Sequence, residues 1–154
     1  MTIKEVSPKN KQVQRLMQEL DAFQIGTYGA ENCHNLDSVE NLIQQEAYML
    51  GIYDNDRLVG MGAIKQVENY SEIKRMYLCQ SHRGLGLADR LLDKLEQYML
   101  EKGISTICLE TGIYHHSALK LYRRHGYEVV ESFGYYTAND FSVYMQKKYK
   151  NIGA

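Results

Sequence analysis

The sequence predicts a mixed α/β domain: a mostly antiparallel sheet with one parallel central pair and helices on both faces. Three observations predict it. From Ala47 to Cys79 the apolar pattern is that of strands, broken only by short turns at Asp54–Arg57 and Glu68–Tyr70, so three consecutive strands should form an antiparallel meander. From Leu87 to Met99 the period changes: Leu87, Leu91, Leu92, Leu95 and Met99 recur on one helical face, with Asp89, Arg90, Asp93, Lys94 and Glu96 largely on the other. That helix joins the strand Ser71–Cys79 to the β-branched run Ile104–Thr111, and two strands joined through a helix run parallel.

The remaining elements follow in order. Thr2–Val6 reads as a short first strand. Ser7-Pro8 opens a helix, with Ser7 as cap and Pro8 at the first helical position, and Val13, Leu16, Met17 and Leu20 face the core. Tyr28–Asn35 is polar and irregular. A second short helix starts near Asp37 with Val39, Leu42 and Ile43 inward. Ala47–Tyr53, Leu58–Val67 and Ser71–Cys79 are the meander strands, and Gly60 and Gly62 mark a bulge or a close approach within the second. Gly103 ends the long helix. A further helix spans His116–His125, with Ala118, Leu121 and Tyr122 inward, and Gly126 stops it. Tyr127–Glu131 and Phe141–Lys147 are the last strands, separated by the loop Ser132–Asp140.

The totals bound the function. The chain of 154 residues, 44% hydrophobic and 24% charged, suits one packed domain over 1–154. A formal net charge of −1 implies no basic face for nucleic acid. No apolar run approaches the ~20 residues that span a bilayer, and Met1–Glu5 lacks an apolar signal core, so a cytoplasmic location is expected. Cys33, Cys79 and Cys108 are odd in number and lack zinc-type spacing, so three reduced thiols and no metal are expected, with Cys108 in a core strand.

Arg83-Gly84-Leu85-Gly86-Leu87-Ala88 stands at the junction of strand and long helix. Glycines there bare backbone N–H groups, and the helix aims its positive end at the same point, which suits an anionic phosphate. No Gly-Lys-Ser/Thr follows, which excludes a Walker-type nucleotide turn.

This order and these motifs resemble the GNAT superfamily of acyl-CoA-dependent N-acyltransferases. Its signature R/Q-x-x-G-x-G/A matches at Arg83, Gly86 and Ala88. A second signature, A-x-x-L-Y-x-x-x-G-F/Y, matches from Ala118 through Leu121, Tyr122 and Gly126 to Tyr127. One bacterial, small-molecule branch adds Tyr28/Ala30/Glu31/His34, Glu72–Tyr77, Leu109–Gly112, Phe133/Gly134/Tyr136 and Ser142–Met145. The resemblance covers nearly the whole chain. It implies an acetyl-CoA-dependent N-acetyltransferase that acts on a small amine or a peptide by direct transfer. A non-catalytic acyl-CoA sensor is the alternative.

The resemblance also implies a site. Arg83, Gly84, Leu85, Gly86, Leu87, Ala88 and Asp89 would hold the pyrophosphate. Met76, Tyr77 and Leu78 would pair with the pantetheine where the two parallel strands splay, and an N–H near Leu78 would polarise the thioester carbonyl. His115 stands where many members carry a pantetheine-binding asparagine, and Gln80 where many carry proline. Tyr122 takes the general-acid position, suited to reprotonating the CoA thiolate, or is simply a core tyrosine. Glu72 is the candidate base, on the strand face of Lys74 and Met76, or else a partner of a lysine or arginine. Glu110 is its rival. Lys74 and Arg75 pair with these carboxylates or bind a substrate carboxylate. Tyr28, Glu31, His34, Glu110 and Tyr136 fall where the acceptor site is usually built. Exposed strand edges at the C-terminal hairpin offer a route to a homodimer.

Overall fold

The computed structural model describes residues 1–33, 36–134 and 136–150. Its elements are β1 (Thr2–Glu5), α1 (Lys11–Tyr28), α2 (Val39–Gln44), β2 (Tyr48–Asp54), β3 (Arg57–Val67), β4 (Tyr70–Leu78), α3 (Leu87–Glu101), β5 (Thr106–Gly112), α4 (His116–Arg124), β6 (Glu128–Val130) and β7 (Ser142–Lys148). The strands form one sheet in the order β1-β2-β3-β4-β5-β7-β6, antiparallel throughout except for the β4–β5 pair.

The sheet separates two cores. Val13, Leu16, Met17 and Leu20 of α1 and Leu42 of α2 pack with Met49, Leu58 and Met61 on one face. Leu91, Leu92, Leu95 and Met99 of α3 and Leu119, Leu121 and Tyr122 of α4 pack with Ile64, Ile73, Ile107 and Leu109 on the other. Each fully buried leucine contributes about 1.5–3 kcal/mol. Cys108 is buried on β5, and all three thiols are free.

Four local expectations need correction. Asn10, not Ser7, caps α1: its side chain accepts from the N–H groups of Gln12 (2.8 Å) and Val13 (3.4 Å). Ser7 instead accepts from Lys9 N–H, and Pro8 lies in the preceding turn. The helix then continues through Tyr28 and stops at Gly29, which takes φ +85°. Ile43 is 41% exposed, because the single buried stripe of the short α2 is used by Leu42.

Glu96 is not on the solvent face of α3. It is 1% exposed, accepts from the hydroxyls of Tyr127 and Tyr149 (2.6 Å each), and pairs with Lys147 (3.2 Å). A carboxylate can be buried there because the β6–β7 side supplies all its donors.

The largest irregularity lies on β4. Met61 pairs with Tyr77 and Ala63 with Lys74, so Gly62 alone opposes Arg75 and Met76. Arg75 takes φ +56°, in the left-handed region. The extra residue slips the side-chain phase by one, and strand faces then exchange. Glu72 and Lys74 point to the α1 side, whereas Met76 packs on the α3 side rather than on the face of Glu72. Gly62 makes room for that: a Cβ there would collide with Met76 Sδ and press on Leu95 and Leu91.

Candidate active site

The parallel pairing of β4 and β5 covers only Ser71–Ile73 against Ile107–Leu109. Beyond it β4 runs on to Leu78 beside β3, and β5 runs on to Gly112 beside β7. The two strands part, and among the described residues the backbone of Lys74–Leu78 on that side has no strand partner. A sheet opened in this way leaves polar groups ready to pair with another amide chain.

A groove of about 580 Å³ follows the opened edge of β4 to the start of α3. Met76, Tyr77 and Leu78 line it, then Arg83, Gly84, Gly86, Leu87, Ala88 and Asp89. Gly84 and Gly86 take φ +81° and +76°, and a Cβ on either would meet nothing within 4 Å. The first bond of α3 runs from Arg90 N–H to the Gly86 carbonyl (3.2 Å), so the N–H groups before it have no intrahelical partner. Arg83 folds back and donates from Nε to the Leu78 carbonyl at 3.0 Å. Leu85 differs from the rest of the turn: it is 63% exposed and does not line the groove. Asp89 clamps the end of α4, accepting from Arg124 (2.8 and 3.0 Å) and meeting His125 Nε2 at 2.8 Å. Burial alone would raise its pKa, but the bonds from His125 and Arg124 outweigh that and hold it below the usual value.

On the other side of the opening lies a smaller cavity of about 130 Å³. Its polar end gathers Glu72, Lys74, Asp37, Glu110 and Tyr136. Lys74 Nζ lies 2.7 Å from Asp37, 3.1 Å from Glu72 Oε2 and 2.6 Å from the Tyr136 hydroxyl. The Tyr136 hydroxyl in turn donates a short hydrogen bond to Glu72 Oε2. Burial would lower the Lys74 pKa, yet Glu72 and Asp37 together raise it, so Lys74 stays charged. Burial first, and Glu72 second, push the Tyr136 phenol far above its usual range. Glu110 accepts from Ser142 Oγ at 3.1 Å. The other end is aromatic. Tyr28 accepts from Tyr114 N–H (3.0 Å), and its ring meets His115 at 5.5 Å and Phe141 at 5.9 Å.

Tyr122 lines both the groove and the cavity, as do Leu20, Met76, His115 and Ala118. It is 5% exposed, with its ring edge-on to Tyr127 at 5.7 Å. Burial pushes its phenol well above the ordinary tyrosine value. It is therefore a core tyrosine by packing and a wall of both spaces by position. Among the described residues, His115 Nε2 is buried without a hydrogen-bond partner.

Of the residues singled out in the sequence, the structure brings Glu72, Glu110, Tyr28, Tyr136, His115 and Tyr122 to the lining of one cavity. Glu31 lies outside it, exposed on the single turn Ala30–Asn32. His34 lies outside the described residues. Arg75 pairs with Asp21 (2.6 Å), and Lys74 with Glu72 and Asp37. Asp37 was missed as a site residue because it precedes the Ser38 cap of α2 and reads as a helix start. The available signal was Lys74, since a lysine in a buried strand demands acidic partners. Phe141 and Ser142 were missed because they read only as a strand start.

A mostly antiparallel sheet opened at its single parallel pair, with bare glycine backbone at a helix start beside the opening, is the architecture of acyl-CoA N-acyltransferases. Residues 11–127 match the Acetyltransferase (GNAT) family, and the chain belongs to that family. An "IAA acetyltransferase" of Azospirillum brasilense is 34% identical over 149 residues, covering 96% of this chain and 97% of that protein. A Bacillus subtilis protein named N-acetyltransferase YsnE is 32% identical over 121 residues, covering 77% of this chain and 80% of its own. Among solved structures, a Klebsiella pneumoniae protein named as an acyl-CoA N-acyltransferase superposes with a TM-score of 0.81 at 33% identity, over 96% of each chain. The Thermoplasma acidophilum PaiA N-acetyltransferase, solved with coenzyme A, shares the fold at a TM-score of 0.71 and 19% identity, over 97% of this chain and 100% of that one.

Proposed function

We propose that the protein is an acetyl-CoA-dependent N-acetyltransferase that transfers the acetyl group directly to a primary amine of a small molecule or peptide. The observation that carries this reading is the position of Tyr122 in the wall common to the two spaces. A thioester lying in the groove would put its sulfur and an amine in the cavity within reach of one hydroxyl. The Arg83–Asp89 turn would take the pyrophosphate on its free N–H groups, and the open edge of Met76–Leu78 the pantetheine amides. Solved neighbours of the same fold hold coenzyme A or acetyl-CoA, which supports this donor. The Azospirillum relative, named as an acetyltransferase, supports acetyl transfer.

In the proposed step the amine nitrogen attacks the thioester carbonyl. A C–N bond forms and the C–S bond breaks. An ammonium first sheds one proton to water. As the neutral nitrogen attacks, its next proton leaves toward Glu72 and one passes from the Tyr122 hydroxyl to the departing thiolate. Glu72 then returns its proton to solvent, and solvent reprotonates Tyr122. A phenol with a raised pKa waits in the protonated form, which is the form that donates. Glu110 and Glu72 favour a cationic acceptor at the mouth of the cavity.

The test is free-CoA release over a panel of primary amines. Tyr122→Phe should lower kcat by about 100-fold, the scale of one general-acid contribution, with acetyl-CoA affinity unchanged. Unchanged turnover would remove Tyr122 from the chemistry. Acetyl-CoA binding without turnover on any amine would make the protein an acyl-CoA sensor instead.

A further inference from the structure

Glu72 is placed awkwardly for a base that meets its substrate directly. Its side chain is 4% exposed. Oε2 is occupied by Tyr136 and Lys74, and Oε1 faces Lys65 at 3.8 Å. Tyr136 is better placed. Tyr136 lines the cavity, and its hydroxyl gives its hydrogen to Glu72 and accepts one from Lys74. The amine N–H would take the acceptor position on that phenol oxygen which Lys74 holds in the resting site. Ring contacts to Phe133 (5.3 Å) and Tyr144 (5.8 Å) fix its direction.

We propose that Tyr136 is the group that touches the acceptor amine, relaying its proton to Glu72. This rests on the acetyl transfer proposed above. The substrate N–H gives its proton to the Tyr136 oxygen as the Tyr136 hydroxyl proton passes to Glu72 Oε2. Tyr136 ends as it began, and Glu72 ends as a carboxylic acid. The buried charges suit one proton. Glu72, Asp37 and Lys74 carry one surplus negative charge, which protonation of Glu72 cancels, while Lys74 keeps Asp37 at 2.7 Å. Lys65 approaches only from the rim, with its side chain 16% exposed. The phenol itself, held far above its usual pKa by burial and Glu72, never has to rest as a phenolate.

The experiment compares wild type, Tyr136→Phe and Glu72→Gln on two acceptors: a primary alkylamine that wild type acetylates, and its β,β-difluorinated counterpart, which sheds its proton far more easily. Acetyl-CoA affinity by calorimetry reports folding of each variant. Both variants should lose about 100-fold in kcat on the alkylamine, and clearly less on the fluorinated amine, with KM and acetyl-CoA affinity little changed. Equal loss on both amines would make Tyr136 a packing residue and overturn the relay. Loss in Glu72→Gln but not in Tyr136→Phe would also overturn it, leaving Glu72 as a direct base. Absence of CoA release by wild type on every amine tried would sink the acetyl-transfer reading, and the relay with it.

Discussion

His115 shows how one side chain carries both packing and pH dependence. Its ring lies 5.1 Å from Phe23 and 5.5 Å from Tyr28, and its Nε2 is buried without a partner among the described residues. Burial first, and the nearby Arg83 second, hold its pKa below the ordinary 6.5. The unfolded chain therefore binds a proton more readily than the folded one. The stability this brings is present above the ordinary value of 6.5 and is lost as pH falls through the lower folded value. Thermal melts at pH 7 and pH 5 should show a larger drop in Tm for wild type than for His115→Asn. An equal drop would mean that His115 is already charged in the fold. At this scale the site was partly legible. The glycines of the turn could be read from spacing, whereas Tyr122 and Glu72 entered as site candidates only through the family resemblance. Asp37 could be read from neither, because its meaning depends on Lys74, a residue far along the chain that only the fold brings to 2.7 Å.

The end of β5 makes a prediction of its own. Gly112 pairs with Ser142, and a Cβ there would run into the hydroxyl and ring of Tyr28. An aromatic ring cannot bend aside, so it would have to swing away and give up the bond from Tyr114 N–H. Gly112→Ala should raise the KM for the amine roughly tenfold, an effect of about 1.4 kcal/mol, with acetyl-CoA affinity unchanged. Equal amine KM values would show that Tyr28 does not shape the acceptor cavity. The elements themselves were largely legible, since periods of 2 and 3.6 and the glycine stops mark them plainly. The bulge was half legible. Gly62 signalled a close approach, but the extra residue sits on the opposite strand. Nothing in the identity of Arg75 announces φ +56°. Strict alternation therefore put Met76 on the face of Glu72, and the fold puts it on the other. Glu96 failed for a similar reason: helical phase predicts solvent for it, and its partners Tyr127, Lys147 and Tyr149 come from beyond α4.

For the molecule as a whole, the topology was read correctly because short turns force antiparallel neighbours and a crossover helix forces the parallel one. Among the described residues no helix is long and apolar enough to cross a membrane. What the chain order could not show is that the opening between β4 and β5 serves two spaces rather than one. Leu20, Met76, His115, Ala118 and Tyr122 form a wall with a different cavity on each side. If the donor lies in the groove, as proposed, its acyl chain must grow toward the amine's side. The small cavity then works as a ruler for chain length. Acetyl- and propionyl-CoA should be turned over, whereas octanoyl-CoA should bind, fail to react and inhibit competitively against the amine as well as against acetyl-CoA. Octanoyl transfer at the acetyl rate would mean that the two spaces do not share their occupants' room.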